Sequence, residues 1–236
     1  MAFPASDYSS TERPHAATHN QISSRFTDPL DCLAAHLMLE SSEVLAGVKP
    51  ANLISLTNNN RPCGRNLFHL WQSHHVQLSR RLDLLCFKVL QTRDNAFLLL
   101  CYNAEHLTKH LSHAGIRALL SKSGYDTTAS SEALLTELCC RFKNNTTFPH
   151  EIGLFIGYPA KDVAAFMGLI NIPFTCQGPW KIYGDPRNSL RLADTYRQTR
   201  KDMSCKLSHC ISPFECLAST TPSRAFFFNI IDIDVH

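Results

Sequence analysis

Glycine is scarce in this sequence, with nine among 236 residues. Neither a GxGxxG nor a GxxxxGK(S/T) string occurs, so the two common glycine-rich phosphate cradles are absent. No run of 18 or more apolar residues exists, and no segment reads as a membrane-spanning helix. The N-terminal stretch from Met1 to Arg25 is rich in Ser, Thr, His and Pro. It lacks the basic start and apolar core of a secretory signal. Excess charge is also small. A net charge of +3 does not by itself demand a polyanionic partner.

What remains is ordinary globular material. Apolar residues make up 44% and charged residues 18%, and the length allows one good core or at most two small ones. Ten cysteines in a chain without a secretory signal read as thiols in a reducing compartment, so a cytoplasmic location is expected. Cys86 and Cys101 sit in apolar, strand-like runs, where a free thiol packs as a small hydrophobe.

Periodicity places the elements. Asp28 caps a helix running to Ala46, with Pro29 at its first position and Gly47 ending it. Ala51 to Leu56 reads as a strand, and Arg65 to Leu82 repeats apolar residues near every 3.6 positions, as a helix does. Leu84 to Gln91 and Ala96 to Tyr102 form a hairpin around Arg93-Asp94-Asn95; its strands are apolar on both faces, so helices must cover at least one. Further helices are expected over Ala104 to Leu120, broken at Gly115, and over Ala129 to Lys143. Two short ones follow, Pro149 to Ile156 and Ala160 to Leu169. Phe174 to Tyr183 reads as a strand region and Pro186 to Cys205 as a last helix.

The fold class is α+β, a small, mainly antiparallel sheet covered by about seven helices. Residues 1–27 are expected to be a disordered leader, residues 28–206 a single α+β domain, and residues 207–236 an atypical tail ending in the apolar run Ala225 to Val235.

Three stretches carry a resemblance. They are Leu45-Ala46-Gly47-Val48-Lys49-Pro50-Ala51-Asn52-Leu53; Phe148-Pro149-His150-Glu151-Ile152-Gly153-Leu154-Phe155-Ile156-Gly157-Tyr158-Pro159 with Asp162-Val163 and Phe166; and Gly178-Pro179-Trp180-Lys181-Ile182-Tyr183-Gly184-Asp185. In this order they resemble the uncharacterised bacterial family called domain of unknown function 3793, over roughly residues 30 to 203. The resemblance implies an anaerobic bacterial host and a loose link to iron acquisition. It assigns no activity and no cofactor.

Candidate residues concentrate in those stretches. His150 and Glu151 pair an imidazole with a carboxylate, suited to acid–base work or a metal. Adjacent helical residues do not face each other, however, and Glu151 also suits the positive end of a helix begun by Pro149. Gly153 and Gly157 permit close backbone approach, and Gly157 suits a helix end. Ile152 to Phe166 resembles a helix-turn-helix, yet its second helix offers Lys161 as its one base. Lys181 and Tyr183 share one face of a strand and Trp180 takes the other. Lys181 and Tyr183 are therefore expected to line a pocket with His150 and Tyr158, for an anionic or aromatic ligand.

Other groupings are weaker. His106, His110 and His113 fall within about 60° on one helix face, read as pointing to solvent. Cys139-Cys140 suits neither a redox CxxC nor zinc. Cys205, Cys210 and Cys216 with His209 are poorly spaced for structural zinc, so no metal site is assigned. On the last helix, Leu192, Tyr196 and Met203 form the core face, with Arg187, Arg191 and Lys201 opposite.

Three function classes follow. The first is an intracellular binding or accessory protein, linked through the resemblance to iron or redox physiology. Its partner is a small molecule or protein rather than nucleic acid or membrane. The second is a regulator using the helix pair. The third is an enzyme using His150 or Cys176.

Overall fold

The computed structural model describes residues 19–144 and 147–218, with side chains for residues 21–144 and 147–217. Its centre is a three-stranded antiparallel sheet of β1 (Ala51–Thr57), β2 (Cys86–Arg93) and β3 (Ala96–Tyr102), in the order β1-β3-β2. Ala51 pairs with Tyr102 and Thr57 with Ala96, while Cys86 takes the other side of Tyr102. The central strand is apolar throughout because both of its faces are covered. Leu99 and Cys101 point into one core; Leu98 and Leu100 point into another.

The first core packs α1 (His19–Ser24), α2 (Pro29–Glu40) and α4 (Leu67–Arg81) against the sheet. Asp28 caps α2 as expected, its carboxylate accepting the Asp31 N–H at 2.9 Å. That helix stops at Ser41 (φ −110°), and a separate turn, α3 (Ser42–Leu45), completes the segment before Gly47 (φ +73°). The second core takes α5 (Ala104–Leu111), α6 (Ala114–Lys122), α7 (Ser131–Asn144), α8 (Ile152–Phe155) and α9 (Ala160–Phe166). The α5–α6 break falls at Ser112-His113 rather than at Gly115, which lies inside α6.

The region Phe174 to Tyr183 is not one strand. It is a small hairpin of β4 (Phe174–Gln177) and β5 (Lys181–Tyr183). Beyond it, α10 (Arg187–His209) runs about 35 Å by its helical rise. Near its start, Ala193 and Tyr196 join Trp180 and Ile182 in a third apolar cluster; near its end, Met203 and Leu207 enter the first core. Arg187, Arg191 and Lys201 are exposed, as their spacing predicts. A final helix, α11 (Pro213–Ala218), returns Cys216 to the first core.

Two expected boundaries fall inside the packed body. Ile22 and Phe26 are buried in the first core although they precede residue 28. Leu207 and Cys216 are buried there although they follow residue 206. The hydrophobic need of α2 and α10 draws both flanking segments in. The rest of the expected leader, up to residue 18, and the run Ala225 to Val235 lie outside the described residues.

Among the described residues, eleven helices and two small antiparallel sheets make the α+β fold. None of those helices is long and apolar enough to cross a membrane. All ten cysteines are free.

Candidate functional site

The α8–α9 turn is built by glycine. A Cβ on Gly153 would meet Val163 Cγ2 at 2.8 Å, so the two short helices approach only because it is absent. Gly157 adopts φ +79° and ends α8, and the Tyr158 N–H returns to the Gly153 carbonyl at 2.9 Å. A Cβ on Gly157 would also lie 2.5 Å from Pro50, where the segment before β1 crosses the turn. The first two motifs of the sequence thus meet at this turn.

The third motif is fastened by Asp162. Its side chain is 1% exposed, yet four donors converge on it. Trp180 Nε1 donates at 2.8 Å and Ser189 Oγ at 2.6 Å to one oxygen; the Tyr183 N–H at 3.0 Å and Lys161 Nζ at 2.7 Å donate to the other. One carboxylate therefore joins α9, β5 and α10. It also holds the Trp180 indole flat against Tyr158, with centroids 4.7 Å apart and planes at 27°.

These elements enclose a cleft of about 320 Å³. Leu53, Ile156 and Val163 are among its apolar lining, and the Tyr158–Trp180 stack forms one wall. Phe148, His150, Phe166 and Lys181 also line it, and all four are exposed. The His150 ring meets Phe166 edge-on at 4.9 Å, and Lys181 Nζ lies 5.3 Å from the same ring's centroid. Phe166 thus stands between an imidazole and an ammonium.

Behind the wall lies a buried cation. Lys49, 4% exposed, donates to Asn52 Oδ1 at 2.8 Å and lies 5.2 Å from the ring centroids of both Tyr158 and Tyr196. Burial lowers its ammonium to about 8; Glu43 pulls the other way and Arg200 adds to the lowering. Glu43 is itself buried and paired to Arg200 at 2.9 Å. Burial, with Glu43 nearby, pushes the Tyr158 and Tyr196 phenols up. The Tyr196 hydroxyl donates to the Gly157 carbonyl at 3.1 Å, tying α10 to the turn.

The residues singled out from sequence divide. His150, Tyr158 and Lys181 come together in the cleft lining. Glu151 does not join them. It is buried, and Tyr125 Oη and Arg141 Nη1 each donate to its Oε1 at 3.2 Å, so it braces α7 rather than partnering His150. It also precedes α8 instead of occupying its first turn. Tyr183 lies outside the lining; its ring meets Phe174 at 5.9 Å. Trp180, expected on the buried face away from Lys181, is buried and still contributes to the cleft. Cys176 is half-buried on β4, outside the cleft.

Sequence reasoning missed two residues. Asp162 and Lys49 enter the sequence reading only as members of the motifs. A charged residue inside an apolar stretch was the available signal for each. The expected solvent-facing histidine stripe also fails at His110, which is buried with Nε2 2.7 Å from the Leu154 carbonyl. Burial lowers that imidazole, against the pull of this hydrogen bond. Cys205 Sγ and His209 Nδ1 are 4.0 Å apart, but among the described residues no group of three or more His, Cys, Asp or Glu is placed to hold a metal.

Fold and cleft together define an α+β protein with an aromatic-walled cleft beside a buried lysine. The chain belongs to the family described as "Protein of unknown function (DUF3793)", whose model matches residues 37–217. That span takes in all three motifs and α11 as far as Leu217. No curated protein and no solved structure matches the chain.

Proposed function

We propose that this is an intracellular binding or accessory protein whose cleft takes a small, mostly apolar or aromatic molecule bearing a negative charge. The observation that carries the reading is the cleft mouth, where His150 and Lys181 flank Phe166 above an apolar interior walled by Tyr158 and Trp180. A volume of about 320 Å³ is the scale of a small ligand. The aromatic wall offers stacking, and Lys181 offers an anion a partner outside the apolar interior. Ten free thiols support a reducing, cytoplasmic setting.

The alternatives are less well served. On α9, Asp162, Val163 and Ala164 are buried and Lys161 is engaged by Asp162 and the Tyr183 carbonyl. That leaves no basic side chain on α9 free to read bases. For an enzyme, His150 would want an orienting carboxylate, and Glu151 is committed to Tyr125 and Arg141.

The test is isothermal titration of the full chain with 2-naphthoate, a flat aromatic anion. Binding is expected, with His150→Ala and Lys181→Ala leaving the melting temperature nearly unchanged and Lys181→Glu abolishing binding. Val163→Trp, which fills the interior, should abolish it too. Binding that survives both Lys181→Glu and Val163→Trp, or no binding to the unmodified chain, overturns the reading.

A further inference from the structure

The mouth of the cleft carries more apolar surface than its interior needs. Phe148 and Phe166 are 44% and 42% exposed, and both line the cleft. Pro179 lines it too and is exposed. The two phenylalanines belong to one rim, because Phe148 meets His150 at 6.0 Å between ring centroids and His150 meets Phe166 at 4.9 Å. A small molecule in the interior leaves the outward faces of this rim in water. A length of chain laid across the mouth covers them, and exposed apolar patches of this kind mark such contacts.

The rim is also positive. Lys181 is exposed beside Phe166. Among the described lining residues the one carboxylate is Asp162, whose oxygens already receive four donors. A second copy of the chain suits this face poorly: a two-fold contact sets the patch against itself and brings Lys181 toward Lys181. The fitting occupant is an aromatic segment with carboxylates a few residues away.

The chain holds such a segment. Residues 225–235 contain Phe226, Phe227 and Phe228, then Asp232 and Asp234, and no lysine or arginine. They lie outside the described residues, and α10 sets how far they must reach. Ser189, near the start of that helix, donates to the cleft-lining Asp162 at 2.6 Å. Lys206, 17 residues further on, is about 26 Å away along the axis by the helical rise. There the Cys216 thiol of α11 donates to the Lys206 carbonyl at 3.7 Å, so the last described residues lie beside the far end of α10. Phe228 is ten residues beyond Ala218, and ten extended residues span about 33–36 Å. The phenylalanines can therefore reach the cleft with slack in the connection.

We propose that residues 226–234 of the same chain occupy the cleft when no ligand is bound, setting a phenylalanine ring against the Tyr158–Trp180 wall and Asp232 and Asp234 toward Lys181. The inference rests on the reading of the cleft as a seat for an aromatic group beside negative charge, and it adds the regulation of that seat. Segment and small ligand compete. The cleft accepts a ligand in proportion to the fraction of time in which the segment is away, so its apparent affinity is lowered by that fraction.

The photoreactive analogue p-benzoylphenylalanine replaces Phe166 or Phe148 in the full chain, which is irradiated in dilute solution and mapped by mass spectrometry. An intramolecular cross-link into residues 225–235 is expected, and excess 2-naphthoate should suppress it. The full-length variant combining Phe226→Ser, Phe227→Ser and Phe228→Ser should lose the cross-link and bind 2-naphthoate about tenfold more tightly than the native chain. Asp232→Lys with Asp234→Lys should weaken the cross-link as well. Circular dichroism checks that each variant is folded. Cross-links that avoid residues 225–235, or that join two chains, overturn the proposal. So does a serine variant whose affinity equals that of the native chain; the cleft then still takes its ligand and only the self-occupancy falls. A cross-link into residues 225–235, with 2-naphthoate bound by neither chain, keeps the self-occupancy and removes the small-ligand reading instead.

Discussion

Lys49 should make the protein's stability depend on pH in an unusual range. Its ammonium is enclosed by Tyr158, Tyr196 and Asn52, with Glu43 and Arg200 as the charged neighbours. Folding lowers it from 10.5 to about 8, which amounts to about 3 kcal/mol against the protonated fold. Between about pH 8 and 10.5 the unfolded chain holds a proton that the folded chain has released, so this group's contribution to stability rises with pH. Below about pH 8 both states are protonated and the slope vanishes. Cys101, pushed up to about 12 by burial, and the raised phenol of Tyr196 act in the opposite sense at high pH. The readout is therefore a difference. Urea unfolding of the native chain and of Lys49→Met, compared across this window, should show the native chain gaining about 3 kcal/mol relative to the variant as pH rises. Near neutrality the variant should be at least as stable, because a buried charge has been replaced by an apolar chain of similar length. A difference that stays flat with pH would refute the reasoning, since it would mean that the ammonium is as comfortable folded as unfolded.

Asp162→Asn should cost about 3–5 kcal/mol in urea unfolding and release Trp180, read by its fluorescence, because one amide oxygen cannot receive four donors. Gly153→Ala should cost about 1–3 kcal/mol through the contact at 2.8 Å with Val163, and Val163→Ala should restore much of the loss if that contact is the cause. A chain trimmed to residues 28–206 discards the buried Ile22, Phe26, Leu207 and Cys216. It should lose on the order of 5 kcal/mol in thermal or urea unfolding, and an unchanged melting temperature would show that these side chains contribute little.

Local chemistry was legible wherever neighbours in sequence decide it. Asp28 and Pro29 start α2, the Asp94-Asn95 turn joins β2 to β3, and Gly157 ends α8, each for reasons contained within a few residues. The apolar run Ala96 to Tyr102 likewise announced a strand covered on both faces. Where the pattern misled, a distant partner had intervened. His110 looked solvent-facing until α8 placed the Leu154 carbonyl over it. Ile22 and Leu207 enter the first core from outside residues 28–206, and single apolar residues such as these carry no periodicity that marks them as core.

The sequence by itself determined the α+β class and most of the element order, because hydrophobic period, capping and turn residues act locally. Only the tertiary structure decided what the charges do. Glu151 is turned away from His150 by Arg141, ten residues earlier; Asp162 is made a hub by Trp180 and Ser189, 18 and 27 residues later. Lys49 becomes a buried cation because α10 lays Tyr196 and Arg200 beside it. A buried charge takes its meaning from whichever donors and acceptors the fold brings within about 3 Å, and sequence spacing does not set that distance.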